Sequence, residues 1–256
     1  MLALPTLVCA IPPVLQPTAA LGSPDWRHWQ VESVAIDGDV AVAVFPSVQY
    51  VSEEEEYQFQ HAALIYRRNA GLWQLQQTLM SEHYLGQRRN QAYVAMRGNV
   101  IAFVSLDRLR VYERIGNATV WQESPVNYPS IHPDIFDVKV DNGTIIVAVP
   151  NCNTGHAEAR AFRKNSAGAW VHVGTATGSD AIDCQHSRSA TTAISGNTVI
   201  VAAPQLADPT SGAGFYFFQG APNTWSQPSQ AVLADFGQSS VAAVSGNRDR
   251  QWFGTV

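Results

Sequence analysis

Charge is scarce in this sequence: Asp, Glu, Lys and Arg make up 14% of its 256 residues, and 16 basic against 21 acidic groups leave a formal net charge of -5. That balance lacks the basic surface which nucleic acid selects, so no nucleic-acid partner is expected. Helical periodicity is missing as well. Apolar residues at i, i+3, i+4 and i+7 are nowhere sustained over a helix-length window, and Gly or Pro interrupts most candidates, which argues against a helical fold. The apolar opening of the chain is broken by Pro5, Pro12, Pro13 and Pro17, short of the about 20 uninterrupted residues of a membrane span. No Gly-Xaa-Ser-Xaa-Gly elbow, phosphate-binding loop or dinucleotide fingerprint occurs, so the sequence offers neither a catalytic motif nor a cofactor.

What is present is a repeat. The stretch SATTAISGNTVIVAAP at 189–204 reads as two apolar strands folded back at Ser195-Gly196-Asn197, and the pattern recurs at 33–46, 93–104, 137–150 and 240–247. Its turn glycines, Gly38, Gly98, Gly143, Gly196 and Gly246, are 60, 45, 53 and 50 residues apart. Each sits beside Asn, Asp or Ser, the residues that tolerate the positive φ of a two-residue hairpin. Near-continuous apolar flanks predict strands buried on both faces. A third strand follows at 61–66, 108–112, 157–162 and 212–218, then a polar turn and a tryptophan at Trp73, Trp121, Trp170 or Trp225. Four antiparallel strands at this period predict an all-β β-propeller, with blades at about 31–80, 91–124, 135–176 and 189–228 and a partial repeat at 236–256. The tryptophans, being periodic, are expected to pack within the blades.

Residues 1–20 carry no charge and end in small residues, which suggests a cleaved export signal or a disordered N-terminus ahead of a domain at 21–256. If Cys9 leaves with that signal, Cys152 and Cys184 remain as an even pair, suited to an oxidising compartment. Asn117-Ala118-Thr119 and Asn142-Gly143-Thr144 fit the glycosylation acceptor pattern. A secreted or cell-surface location is the expectation.

The segment Phe236-Gly237-Gln238-Ser239-Ser240 and the strand after it resemble the opening of an FG-GAP repeat, the unit of integrin-α-like propellers. The Pro-terminated strands ending at Pro46, Pro150 and Pro204, and the glutamines close behind Trp73, Trp121 and Trp225, are similar to the rest of that unit. The resemblance spans roughly residues 33–247. It implies a binding module that engages protein or glycan through loops on one face, without catalysis. The sequence departs from the family in two ways. The turns are too short to supply the six to eight oxygens of a calcium site, so no metal is carried over. Only four full repeats are visible where the family closes with seven, and no apolar partner strand follows Asn247, which leaves open a fragment of a larger FG-GAP protein with an incomplete ring, a divergent end, or a smaller ring closed by the terminal strands. An open ring would favour self-association.

In a propeller the loops holding Cys152 and Cys184 emerge on the same face, which makes a disulfide geometrically reasonable; two free thiols are the alternative. Ligand contacts are expected from aromatic and charged residues outside the repeat period: Tyr50, Glu53, Glu54 and Tyr57 in the longest loop, Tyr84, Tyr128, His132, His156, His186 and Arg188. Solvated loops would account for the same residues. The second functional class is a propeller hydrolase or lyase with an inter-blade site near His132, Asp134, His156 and His186, since such chemistry needs a His or carboxylate within reach of the substrate.

Overall fold

The computed structural model describes residues 31–50, 57–81, 84–85, 91–105, 108–116, 118–128, 135, 137–151, 153–181, 190–203, 213–233, 241–243 and 252–254. Apart from one 3-10 turn at Pro222–Thr224, every regular element in them is a strand. Among the described residues no helix is long and apolar enough to cross a membrane.

The strands form successive antiparallel sheets in chain order. The first runs β1 (Ser33–Asp37), β2 (Val40–Tyr50), β3 (Tyr57–Asn69) and β4 (Leu72–Met80), with β5 (Tyr84–Leu85) added to the far end of β3. The second is β6 (Tyr93–Arg97), β7 (Val100–Ser105), β8 (Arg108–Glu113) and β9 (Gln122–Ser124). The short β10 (Val126–Asn127) leads into the third, β11 (Asp137–Asp141), β12 (Thr144–Asn151), β13 (His156–Lys164) and β14 (Trp170–Ala181), where β10 pairs in parallel with the start of β14. The fourth comprises β15 (Thr191–Ser195), β16 (Thr198–Ala203), β17 (Ala213–Gln219) and β18 (Ser226–Leu233). Finally β19 (Val241–Ala243) pairs with β20 (Trp252–Gly254). Contrary to the expectation that no partner strand follows Asn247, β19 is paired by Trp252-Phe253-Gly254, set further along the chain than in the other repeats.

Each hairpin turns where the Gly repeat places it, but by two chemistries. Asn142 and Gly143 both have positive φ, 44° and 69°, as a type I′ turn demands. At Gly38, Gly98 and Gly196 only the leading glycine is in that region, the II′ arrangement, so the reversed order of Gly and its polar neighbour records the turn type.

The first strands β1, β6, β11, β15 and β19 contact one another in that order. Sheets consequently stack face to face and enclose separate apolar layers. One joins Val42, Val44 and Ile65 of the first sheet to Val94, Ile101, Phe103 and Trp121 of the second. Another joins Val104 and Val111 to Val138, Val147, Phe162 and Trp170. A further layer joins Ile146, Ala148 and Ala159 to Val199, Val201 and Tyr216. Strands β7 and β12, buried at almost every position, have one of these layers on each side, which explains their unbroken apolar runs. Strand β1 departs from that expectation. Its residues alternate between partly buried and exposed; among the described residues, the second sheet packs against one of its faces.

Polar stitches tie the stack together in an alternating pattern. Ser33 Oγ accepts the backbone N–H of Val94, and Asp37 accepts that of Gly98. At the equivalent places between the third and fourth sheets, Asp137 accepts from Thr192 and Asp141 from Gly196. Between the second and third sheets the corresponding residues are Tyr93 and Arg97. A guanidinium cannot accept, and Arg97 instead lies 3.7 Å from Asp37 and 3.8 Å from Asp141.

Candidate functional site

The layer between the second and third sheets contains the densest polar cluster. In β13 the residues Glu158, Arg160 and Phe162 fall on one face by the two-residue period of a strand. Pairing of β10 with β14 at Val126 and Trp170 brings the following residue pair, ending at Tyr128, over that face. Arg160 donates through Nε and Nη2 to Glu158 Oε2 at 3.0 and 2.9 Å, and through Nη1 to the Tyr128 hydroxyl at 2.7 Å. Asn151 Nδ2 donates to the other carboxylate oxygen, Glu158 Oε1, at 2.7 Å.

The ion pair is largely out of water, with side-chain exposures of 14% for Arg160 and 8% for Glu158. Such a pair persists only where its remaining hydrogen-bonding capacity is met, which is what Asn151 and Tyr128 supply. Around it stand three rings. Tyr128 meets Phe162 edge-on at 5.2 Å, and His172, opposite Phe162 on β14, lies 5.4 and 5.8 Å from the two. His172 also sits with Nε2 3.0 Å from Thr175 Oγ1. Burial first, and then the Arg160 charge, pull the His172 pKa below its ordinary value, which favours the neutral ring. The cluster thus carries little net charge. It presents hydrogen-bonding groups and aromatic edges.

Of the residues singled out by sequence, Tyr128 belongs to this cluster. His156 lies at the start of β13, two residues before Glu158, with its backbone paired to Asn151. Glu158 is committed to Arg160 and Asn151. No group of three His, Cys, Asp or Glu side chains among the described residues is arranged to hold a metal. Tyr50 and Tyr57 face each other across the β2–β3 pair, and Tyr84 pairs with Phe59 on the same extended hairpin, so the backbone gathers these three at one tip. Glu53, Glu54, His132, His186, Arg188, Cys152 and Cys184 lie outside the described residues. An open concavity of about 480 Å³ elsewhere on the first sheet is lined by Asp39, Arg67, Arg68, Asn69, Gln74 and Gln76.

A second constellation has no short-range signature. His61 on β3 is buried, with Nδ1 2.7 Å from Ser105 Oγ at the end of β7 and Nε2 3.4 Å from Glu32 Oε2. Glu32 is itself held by the N–H of Ala92, and the His61 backbone by Ser81, whose Oγ accepts its N–H at 2.8 Å. A carboxylate acting on Nε2 selects the tautomer whose Nδ1 can accept from the Ser105 hydroxyl. Glu32 and His61 meet within the first sheet, and Ser105 joins them only because the first two sheets stack; no spacing in the sequence announces them.

The chain matches no model of a known protein family, and no curated protein matches its sequence.

Proposed function

We propose that the chain is a secreted or cell-surface binding module of the β-propeller type, related to FG-GAP proteins, that recognises a protein or glycan without catalysing a reaction. The observation that carries this reading is the head-to-tail packing of successive first strands, β1 to β6 to β11 to β15 to β19, the contact order of blades about an axis. Further support comes from the Tyr128, Arg160 and His172 cluster, where paired charges and ring edges suit a neutral ligand rich in hydroxyl or amide groups. Tyr50, Tyr57 and Tyr84, gathered by backbone pairing on the hairpin of the first sheet, are the second candidate region. Screening the purified protein against glycan arrays and extracellular proteins tests the reading. A bound ligand should lose affinity when Tyr128→Phe and His172→Ala, or Tyr50→Ala and Tyr57→Ala, are introduced with the fold intact. A ligand indifferent to all four changes would remove these regions from the binding surface.

A different function, hydrolysis through a nucleophilic serine, is favoured by one observation, the Ser105, His61 and Glu32 chain, which has the order of nucleophile, base and orienting carboxylate. It stands apart from the histidines at which the sequence placed an enzymatic site. A fluorophosphonate probe decides between the two functions. An adduct on Ser105 that disappears in His61→Gln supports hydrolysis; an unlabelled Ser105 in folded protein leaves the chain of hydrogen bonds as a structural stitch.

A further inference from the structure

One hairpin turn of this chain is chemically unlike the others. The turn between β11 and β12 is Asn142-Gly143, the single Asn-Gly step in the sequence. The turns at Gly38-Asp39, Gly98-Asn99 and Gly196-Asn197 have the opposite order, so the residue after Asn99 is Val100 and the residue after Asn197 is Thr198. The order matters because the side-chain amide of an Asn is open to attack by the backbone nitrogen that follows it. A β-branched neighbour crowds that nitrogen, whereas Gly, with no Cβ, leaves it accessible.

The fold leaves both reacting groups of this step unencumbered. Asn142 and Gly143 are exposed, and a Cβ built on Gly143 meets nothing within 4 Å. The hairpin closes with Asp141 paired to Thr144, which places the Gly143 N–H beyond the last rung of the ladder. Neither that N–H nor the Asn142 amide has a hydrogen-bond partner among the described residues. Val100 and Thr198, in contrast, open the strands β7 and β16 and are paired on both sides, Val100 with Arg97 and Glu113, Thr198 with Ser195 and Gln219. Asn142 also holds a positive φ of 44°, a region unfavourable to a residue that carries a Cβ.

We propose that Asn142 is a site of spontaneous covalent modification, through which the protein ages at the seam between its third and fourth sheets. Rotation about Asn142 brings the Gly143 nitrogen to the side-chain carbon Cγ. As the new N–Cγ bond forms, the nitrogen gives its proton to solvent base; the Cγ–Nδ2 bond breaks, and Nδ2 takes up a proton and leaves as ammonia. Water then adds to one carbonyl of the resulting cyclic imide and one ring C–N bond breaks. The product is Asp, or isoaspartate where the bond broken is the original peptide bond. Either product sets a carboxylate beside Asp141, whose own carboxylate holds the Gly196 N–H at 2.7 Å. Isoaspartate also adds a backbone atom to a two-residue turn, whose length fixes the register of the hairpin. Modification therefore loosens the stitch from Asp141 to Gly196. This inference concerns the lifetime of the fold and stands independently of what the module binds.

Peptide mapping by mass spectrometry, on the folded full chain held at mildly alkaline pH and sampled over days, tests it. Asn142 should gain the mass that separates O from NH, ahead of Asn99 and Asn197, and the converted fraction should accept a methyl group from an isoaspartyl methyltransferase. Aged wild-type protein should unfold at lower urea than fresh protein. Asn142→Gly, which suits the same turn, should show no such loss on ageing. An Asn142 that stays intact in the folded protein overturns the proposal, and conversion in urea alone would show that the hairpin protects it. So does earlier conversion of Asn99 or Asn197, a glycan on Asn142 Nδ2 that blocks the step, or converted protein that matches fresh protein in urea.

Discussion

Asp141 accepts the backbone N–H of Gly196, 55 residues further along the chain, at 2.7 Å, and in doing so fixes the hairpin tip of the fourth sheet against the third. Asp37 does the same for Gly98 between the first two sheets. A carboxylate accepting an amide is a charge-assisted bond, stronger than its neutral counterpart. Replacing Asp141 with Ala should lower stability by about 1–2 kcal/mol, the range for a partly exposed bond to a charged group. The same change at Asp39, whose Arg68 partner lies in water with it, should cost well under about 1 kcal/mol. Urea unfolding of the two variants checks the contrast; equal effects would mean that Asp141 does not join the sheets.

Close approach of backbone to backbone makes a different demand at Gly174. A Cβ built there would lie 2.0 Å from the carbonyl oxygen of Pro222, where the 3-10 turn of the fourth sheet crosses β14. Neither atom belongs to a flexible side chain, so the strain has no cheap outlet. Gly174→Ala should destabilise by about 2 kcal/mol or more, at the upper end of overpacking. At Gly168 the added atom meets only Lys164 Cε at 3.8 Å, and the cost there is the positive φ of 83°, about 1 kcal/mol. Thermal unfolding should rank the two variants in that order, and the opposite ranking would remove the backbone contact as a constraint.

Glu113 links the second and third sheets through one carboxylate oxygen, which accepts from Ser124 Oγ, Lys164 Nζ and Trp170 Nε1. Burial alone would raise its pKa. The donated hydrogen bonds, Lys164 first, then Ser124 and Trp170, together with the Lys164 charge outweigh it and hold the group below the usual carboxylate value. A carboxylate with a depressed folded-state pKa contributes stability above its unfolded value and loses it as pH falls through the folded one. Glu113→Gln should therefore destabilise by about 1–2 kcal/mol near neutrality, with the difference from wild type shrinking below about pH 4. Denaturant titrations at neutral and acidic pH measure this, and a difference independent of pH would contradict it.

How much of this could be read from the sequence follows from distance along the chain. The hairpin turns at Gly38, Gly98, Asn142-Gly143 and Gly196 were legible because turn chemistry is local and the strands flanking it are apolar. Trp121 and Trp170 were legible as packing residues because they recur with the period, and both are buried. The cluster on β13 was half visible. Tyr128 and His156 are candidate contacts in the sequence, whereas Arg160, the residue that organises Glu158, Tyr128 and Asn151, reads there as any charged residue on a strand. Its role depends on a connector, 125–128, whose β10 strand pairs in parallel with β14, a pairing with no counterpart among the described residues of the other sheets. The Ser105, His61 and Glu32 chain was invisible for the same reason. Ser105 meets His61 and Glu32 of the first sheet only through sheet stacking, and stacking leaves apolar periodicity in the sequence but no record of which polar groups meet.

The Arg160 and Glu158 pair offers the sharpest test of the site as a unit. Removing one partner leaves a charge buried without compensation, which costs about 3–5 kcal/mol, whereas replacing both with apolar residues of similar size is often neutral. Arg160→Met alone would strand Glu158 at 8% exposure with only Asn151 as donor, and Glu158→Leu alone would strand Arg160 beside Tyr128. The double variant should recover most of the loss in either single one. The aromatic contacts that flank the pair do not depend on charge, so Tyr128 should keep its edge-on packing against Phe162 in the double variant. A double-mutant cycle in urea measures the coupling, and ligand binding by the recovered double variant separates two roles. If stability returns but binding does not, the ion pair faces the ligand. If both return, the pair serves only to hold Tyr128 in place, and the rings are the recognising surface.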